Sequence, residues 1–151
     1  MKTKSRDNPY RIFPPHLMIL AGIAMHIVGR LETGQSLAHF YGLPLCLFAL
    51  WLAFREKNRF IASGTTFFPG EESHKLITEG AYRYTRNPMY LAMALFLVGL
   101  WPLTGGWWPL APLIVFIALI QHYFIRREER MLTNTFGDEY ITYKVRVRRW
   151  L

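Results

Sequence analysis

Residues 87–125 read NPMYLAMALFLVGLWPLTGGWWPLAPLIVFIALIQHYFI, 39 residues without one Asp, Glu, Lys or Arg. A helix crosses a hydrocarbon core in about 20 residues, so a run of this length fits two passes. Pro102, Gly105, Gly106 and Pro109 lie near its middle and supply the turn between them, because proline and glycine end helices and permit tight re-entry. Two polar, aromatic-rich clusters bracket the run: Gly80-Ala-Tyr-Arg-Tyr-Thr-Arg-Asn-Pro-Met-Tyr90 on one side and Arg126-Arg-Glu-Glu-Arg130 on the other. Charge at both ends of an apolar hairpin is the arrangement expected of a site built at a bilayer surface.

Working outward, residues 12–29 and 33–54 are also free of charged side chains, although 19% of the chain is charged, so the charges are segregated. The pattern predicts an all-α integral membrane protein with four spans at about 13–30, 37–54, 88–104 and 107–125. A soluble helical core would need polar faces that these segments lack. All 18 basic residues except Arg30 fall in the N-terminal tail, the 55–86 connection or the segment after residue 125. By the positive-inside rule these face the cytoplasm with both termini, in the inner membrane if the source is bacterial. Topology and lipid headgroups thus account for the net charge of +8 without nucleic acid, and no protein partner is expected. The first apolar run continues past Ala24 to Val28, which favours a retained helix over a cleaved signal. The single cysteine, Cys46, lies in an apolar run and is expected to be a buried, inert thiol.

The chain is long enough for one domain, 1–151. Its long polar connection holds Thr65–Gly70, read as an extended piece closed by a Pro-Gly turn, and His74–Gly80, read as a second extended piece. Pro88 suits the first residue of a helix. After Ile125 the fourth helix is expected to continue, with Leu132, Phe136 and Tyr140 forming one apolar stripe. Gly137 would close it and Asp138 begin a short successor, folding the tail back over the 55–86 connection. His26, His39 and His122 show no metal-ligand spacing, and no metal is expected. Trp101, Trp107 and Trp108 flank the outer turn, and Arg30 and Glu32 are expected to be solvated.

The two clusters offer carboxylates (Glu128, Glu129), cations (Arg83, Arg86) and aromatic faces (Tyr82, Tyr84, Tyr90). A ligand with an amino-acid end, a ribose, a flat base and a cationic centre would use all three, and S-adenosylmethionine is such a ligand. Residue types alone leave a second reading open, because lipid-facing Arg and interfacial Tyr have the same composition.

The order of these residues is more specific. Gly80-x-Tyr82, Arg86-Asn87-Pro88-x-Tyr90, a hairpin, Glu128-Glu129 and Phe136-Gly137-x-Glu139-Tyr140-x-x-Tyr143 resemble the isoprenylcysteine carboxyl methyltransferase family and its wider group of phospholipid methyltransferases. The likeness covers about residues 62–151. It implies a helical membrane enzyme that binds S-adenosylmethionine from the cytoplasm, without a glycine-rich nucleotide loop, and admits a hydrophobic or lipid-like acceptor from the bilayer. Carried over by position, Leu76, Thr78, Gly80, Tyr82, Arg86, Asn87, Pro88 and Tyr90 would line the cofactor. Glu128 and Glu129 would close it, and Tyr143 and Arg146 would lie nearest the acceptor. Asn87 stands where the eukaryotic prenylcysteine branch has His. An amide cannot act as a general base, so Asn87 is read as a cofactor anchor. Two alternatives stand beside this reading: an NADPH-dependent membrane reductase of the sterol-reductase type, and a non-enzymatic membrane scaffold.

Overall fold

A computed structural model of the full chain describes residues 14–34, 39–62 and 76–151. The described residues are helical, with no strand among them: α1 (Pro14–Thr33), α2 (Leu43–Ala62), α3 (Pro88–Thr104), α4 (Leu110–Leu119), a π-helical turn (Ile120–Ile125), α5 (Arg126–Phe136) and α6 (Asp138–Arg146). Short 3-10 turns at Phe40–Gly42 and Gly80–Arg83 precede α2 and α3.

Local chemistry fixes most boundaries. Gly34, with φ of +70°, ends α1 by returning its N–H to the Arg30 carbonyl at 2.9 Å. The second span was expected at 37–54, but α2 runs from Leu43 to Ala62. Pro44 is tolerated only in a first helical turn, which places the start there. Beyond the apolar run, α2 continues for two turns past Phe54 and includes the Glu56–Arg59 ion pair, 3.3 Å apart. Pro88 opens α3 as expected. Gly105 and Gly106, both with φ of +73°, make the turn into α4, which starts at Leu110. Glu32 is not simply solvated as expected. Its carboxylate accepts the Trp107 and Trp108 backbone N–H groups at 3.0 Å, satisfying donors beside the start of α4.

By length and apolar composition, Pro14–Thr33 and the continuous 27-residue stretch Leu110–Phe136 could each cross a membrane; α3 is apolar but shorter, at 17 residues. At 1.5 Å per residue the longer stretch reaches about 40 Å, which exceeds a core of about 30 Å. Its charged part, from Arg126 onward, therefore projects beyond any apolar layer that 110–125 spans. α2 carries Arg55, Glu56, Lys57 and Arg59 in its last turns.

α3 is central, packing on α1, α2 and α4. The core joins Met25, Tyr90, Leu97, Leu113, Phe116, Ile120, Phe124 and Ile125. Against α2 the approach is backbone to backbone: a Cβ at Gly42 would collide with the Gly99 carbonyl. A Cβ at Gly99 would lie 2.8 Å from Cys46 Sγ and 2.9 Å from the Cys46 nitrogen. Small residues allow helices this contact, and the buried Cys46 thiol donates to the Phe96 carbonyl across it. At Gly22, by contrast, a Cβ would meet only side-chain tips, those of Leu100 at 3.3 Å and Leu97 at 3.8 Å. Gly99→Ala should therefore lower the apparent Tm of the detergent-solubilised protein, by the equivalent of about 1–3 kcal/mol. Gly22→Ala should be neutral or slightly stabilising; equal losses in the two variants would contradict this packing.

Candidate functional site

At the end of the bundle away from Glu32, the chain from Leu76 approaches α3 along an irregular path. The Thr65–Gly70 piece and residues 74–75 of the second expected extended piece lie outside the described residues. Leu76–Thr78 has no regular structure, and Gly80 opens a 3-10 turn rather than closing a strand. Gly80 has φ of +66°, which favours glycine, and it lies against the Arg59 guanidinium, which a Cβ would have to displace. Thr85 is buried, and its Oγ accepts the Asn87 N–H at 3.1 Å, holding the chain as it enters α3. One turn into α3, the Tyr90 hydroxyl donates to Glu128 Oε1 at 2.6 Å. That bond joins the two polar clusters across the hairpin.

The neighbouring carboxylate makes a second junction. Glu129 is buried and accepts Arg149 Nε and Nη2, each at 2.8 Å, in a two-pronged pair. Arg86 Nη1 stands 3.1 Å from the same carboxylate. The tail is sewn down around this pair. The Arg86 N–H donates to the Arg148 carbonyl at 2.9 Å, while Thr85 Oγ and Asn87 Nδ2 donate to the Arg149 carbonyl at 3.1 and 2.9 Å. The Tyr143 hydroxyl donates to the Tyr82 carbonyl at 2.7 Å, and Trp150 Nε1 donates to Gln121 Oε1 at 2.9 Å. The tail thus folds back over residues 82–87, as its apolar stripe implies.

Helix registry explains why adjacent glutamates reach different partners. Buried positions on the α4–α5 stretch run 113, 116, 120 and 124, then 125 and 129. The π-helical turn at Ile120–Ile125 inserts the extra residue, shifting the inward face by one position. Gly137, with φ of +52°, ends α5, and α6 returns with Tyr140 and Tyr143 buried, their rings 6.1 Å apart.

Tyr82, Arg86, Asn87, Pro88, Tyr90, Glu128 and Glu129 therefore converge, and Gly80 lies beside them on Arg59. Leu76 and Thr78 are partly buried at the approach. Tyr143 is buried as a brace, whereas Arg146 is exposed at the end of α6. The Asn87 amide nitrogen is engaged by the tail. Sequence reasoning passed over three participants. Arg149 is one of seven basic residues after residue 125 and carries no marker of its own. Thr85 was hidden between two tyrosine-arginine steps. Glu56 is fully buried and left a trace: Ala49, Leu52 and Glu56 are all buried at spacings of three and four, putting a carboxylate on the inward stripe of α2.

Residues 37–139 match the phospholipid methyltransferase family. The chain belongs to that family. Protein-S-isoprenylcysteine O-methyltransferase B of Arabidopsis thaliana is 32% identical over 99 residues, covering 60% of this chain and 49% of that protein. Protein-S-isoprenylcysteine O-methyltransferase of Saccharomyces cerevisiae is 36% identical over 80 residues, covering 51% of this chain and 32% of that protein. An uncharacterized protein of Haemophilus influenzae is 45% identical over 64 residues, its whole length and 42% of this chain. The chain thus spans half or less of the named methyltransferases it matches. No solved structure gives a significant match.

Within this phospholipid methyltransferase family member, the two glutamates differ electrostatically. Burial pushes the Glu128 carboxyl up to about 7, the Tyr90 hydrogen bond offsetting only part of the effect. Burial acts on Glu129 as well, but the Arg149 hydrogen bonds and the Arg86 charge outweigh it and hold that carboxyl below the ordinary range. Tyr82 is pushed well up by burial and by the nearby Glu128 and Glu56 carboxylates. A raised folded-state value means that stability from neutral Glu128 is complete below about 4.5 and is lost as pH rises through about 7. Glu128→Gln should therefore gain stability over the wild type across that window and hold the gain above it; a pH-independent difference in thermal unfolding would contradict this. Glu129 has the opposite sign, its contribution being lost as pH falls below the ordinary carboxylate range. Glu129→Gln should cost about 3 kcal/mol at neutral pH, the low end for a broken buried pair because Arg149 stays partly exposed, and less in acid.

Proposed function

We propose that this protein is a four-span membrane enzyme that transfers the methyl group of S-adenosylmethionine to a lipid-like acceptor at the cytoplasmic face. The observation that carries this reading is the pairing of Tyr90 with Glu128 in the midst of the matched family segment. Glu128 is a carboxylate with no cationic partner among the described residues, raised by burial, hydrogen-bonded by the Tyr90 hydroxyl and close to Tyr82. That donor set fits a cationic ligand with a flat base: the carboxylate complements positive charge, and aromatic faces accept both cation and base.

Several observations support the membrane reading. Outward-facing Ile19, Leu20, Ile23 and Ile27 on α1, Leu47, Phe48, Leu50, Trp51 and Phe54 on α2, and Ile114 and Val115 on α4 are all exposed. So much apolar surface on several helices is out of place against water and in place against lipid. Arg30 lies at the Glu32 end of the bundle, while Arg55, Arg59, Arg86, Arg126 and Arg149 lie at the other, which supports cytoplasmic placement of the site and both termini.

When bound, S-adenosylmethionine supplies a methyl group already activated by a sulfonium centre. The chain's part is to bind, align and exclude water. Glu128 would hold the cationic portion, with Tyr82 and Tyr90 beside the base. Glu129, Arg86, Asn87 and Arg149 would keep the tail closed over the site as one braced unit. Leu76, Thr78 and Gly80 would border the entry, and Arg146, exposed on α6, would meet an anionic acceptor. A carboxylate acceptor needs no general base, in keeping with an amide at Asn87. The relatives named as isoprenylcysteine O-methyltransferases favour such an acceptor, with a phospholipid amine the other member of the class. They also favour methyl transfer over nicotinamide reduction or a scaffold.

Calorimetry with S-adenosylhomocysteine on the detergent-purified protein tests the reading. Saturable binding is expected, weakened about tenfold or more in Glu128→Gln, a loss of about 1.4 kcal/mol or more. No binding by folded protein, or equal affinity in the two forms, would overturn it.

A further inference from the structure

A cavity of about 560 Å³ opens beside Glu129 and is lined by Arg126, Arg130, Lys144 and Arg149 together with Thr133 and Asn134. Arg126 and Arg130 are one helical turn apart and share a face of α5. Glu128 is two residues from each, about 200° around the helix, so this cavity is separate from the site that holds Tyr90. The only carboxylate in its lining, Glu129, is already neutralised by Arg149 and Arg86. Arg126, Arg130 and Lys144 therefore share a space in which the remaining pair, Arg149 and Glu129, offset each other, an arrangement that attracts an anion with several acceptor oxygens.

The cavity does not stand alone. A groove of about 440 Å³ continues from it along α4, with mainly apolar walls of Val115, Ala118, Leu119 and Tyr123, and the two share His122 and Arg126. Their junction lies where the uncharged run ends at Ile125. A free phosphate would use the basic cavity and leave the groove unused; a hydrocarbon would do the reverse. An anion carrying a long apolar chain fits both at once, with its polar end at the level where the helix turns from apolar to charged.

We infer that the two cavities together bind one anionic phospholipid, its phosphate among Arg126, Arg130 and Lys144, beside the Glu129-paired Arg149, and an acyl chain along Val115–Tyr123. The inference rests on the membrane reading above but not on the methyl-transfer chemistry. Because Arg149 both lines the cavity and grips Glu129, the lipid would reinforce the closure of the tail.

The full chain in nanodiscs provides the test, with thermal unfolding as readout. Incorporation into purely zwitterionic phosphatidylcholine discs reports the membrane reading by itself. Replacing a fraction of that lipid with phosphatidylglycerol of the same chains should raise the apparent Tm by about 4 °C or more. The rise should disappear in the Arg126→Gln/Arg130→Gln double variant and in Ala118→Trp, which fills the groove from an exposed position and leaves every cation in place. Glycerol phosphate added to zwitterionic discs should have no effect. An equal rise with glycerol phosphate, no rise with phosphatidylglycerol, or a rise that survives in Ala118→Trp would each overturn the proposal.

Discussion

The Glu129 carboxylate lies between two guanidiniums that arrive from distant parts of the chain, Arg86 from the approach to α3 and Arg149 from the tail. A buried carboxylate is tolerable only with such partners, and two arginines left beside it without the acid would be costlier still. The arrangement therefore constrains its surroundings. For Arg149 to reach Glu129, the backbone at residues 148–149 must lie along 85–87, and Thr85, Arg86 and Asn87 bond it there. Tyr143 and Trp150 then fasten the tail on either side.

One residue earlier, Glu128 has only a tyrosine hydroxyl. Adjacent residues on one helix point about 100° apart, and the π-helical turn sets which of the two meets the arginines. The outcome is a division of labour between neighbours. Glu129 is neutralised and structural, whereas Glu128 is partly desolvated without a cation, a state in which a positively charged ligand is favoured. The tight Gly42–Gly99 contact serves the same end from below, since it fixes α2, whose Arg59 lies against Gly80, on α3.

Much of this was legible in the sequence, for definable reasons. Pro88, the Gly105–Gly106 turn and Gly137 mark helix limits through backbone chemistry that acts locally, and those limits were readable to within a few residues. The 37–54 span was misplaced because apolar content says where a helix can enter lipid but not where it begins and ends. Pro44 set the start of α2, and the helix ran on past Phe54 into its charged segment. The pairing of the two polar clusters followed from their order along the chain. The partner of each side chain did not, because it depends on a one-residue shift of registry at Ile120–Ile125 and on a tail whose arginines look alike. Glu32 was read as solvated for the same reason: its partners are backbone N–H groups across a turn, which carry no residue-type signature.

Photolabelling the detergent-purified full chain with methyl-tritiated S-adenosylmethionine, followed by peptide mapping, addresses the central claim most directly. If the braced cluster around Glu128 holds the methyl donor, label will be confined to peptides from 76–90 and 126–150 and competed away by S-adenosylhomocysteine. Label spread along the apolar helices, or labelling that the competitor leaves unchanged, would contradict it.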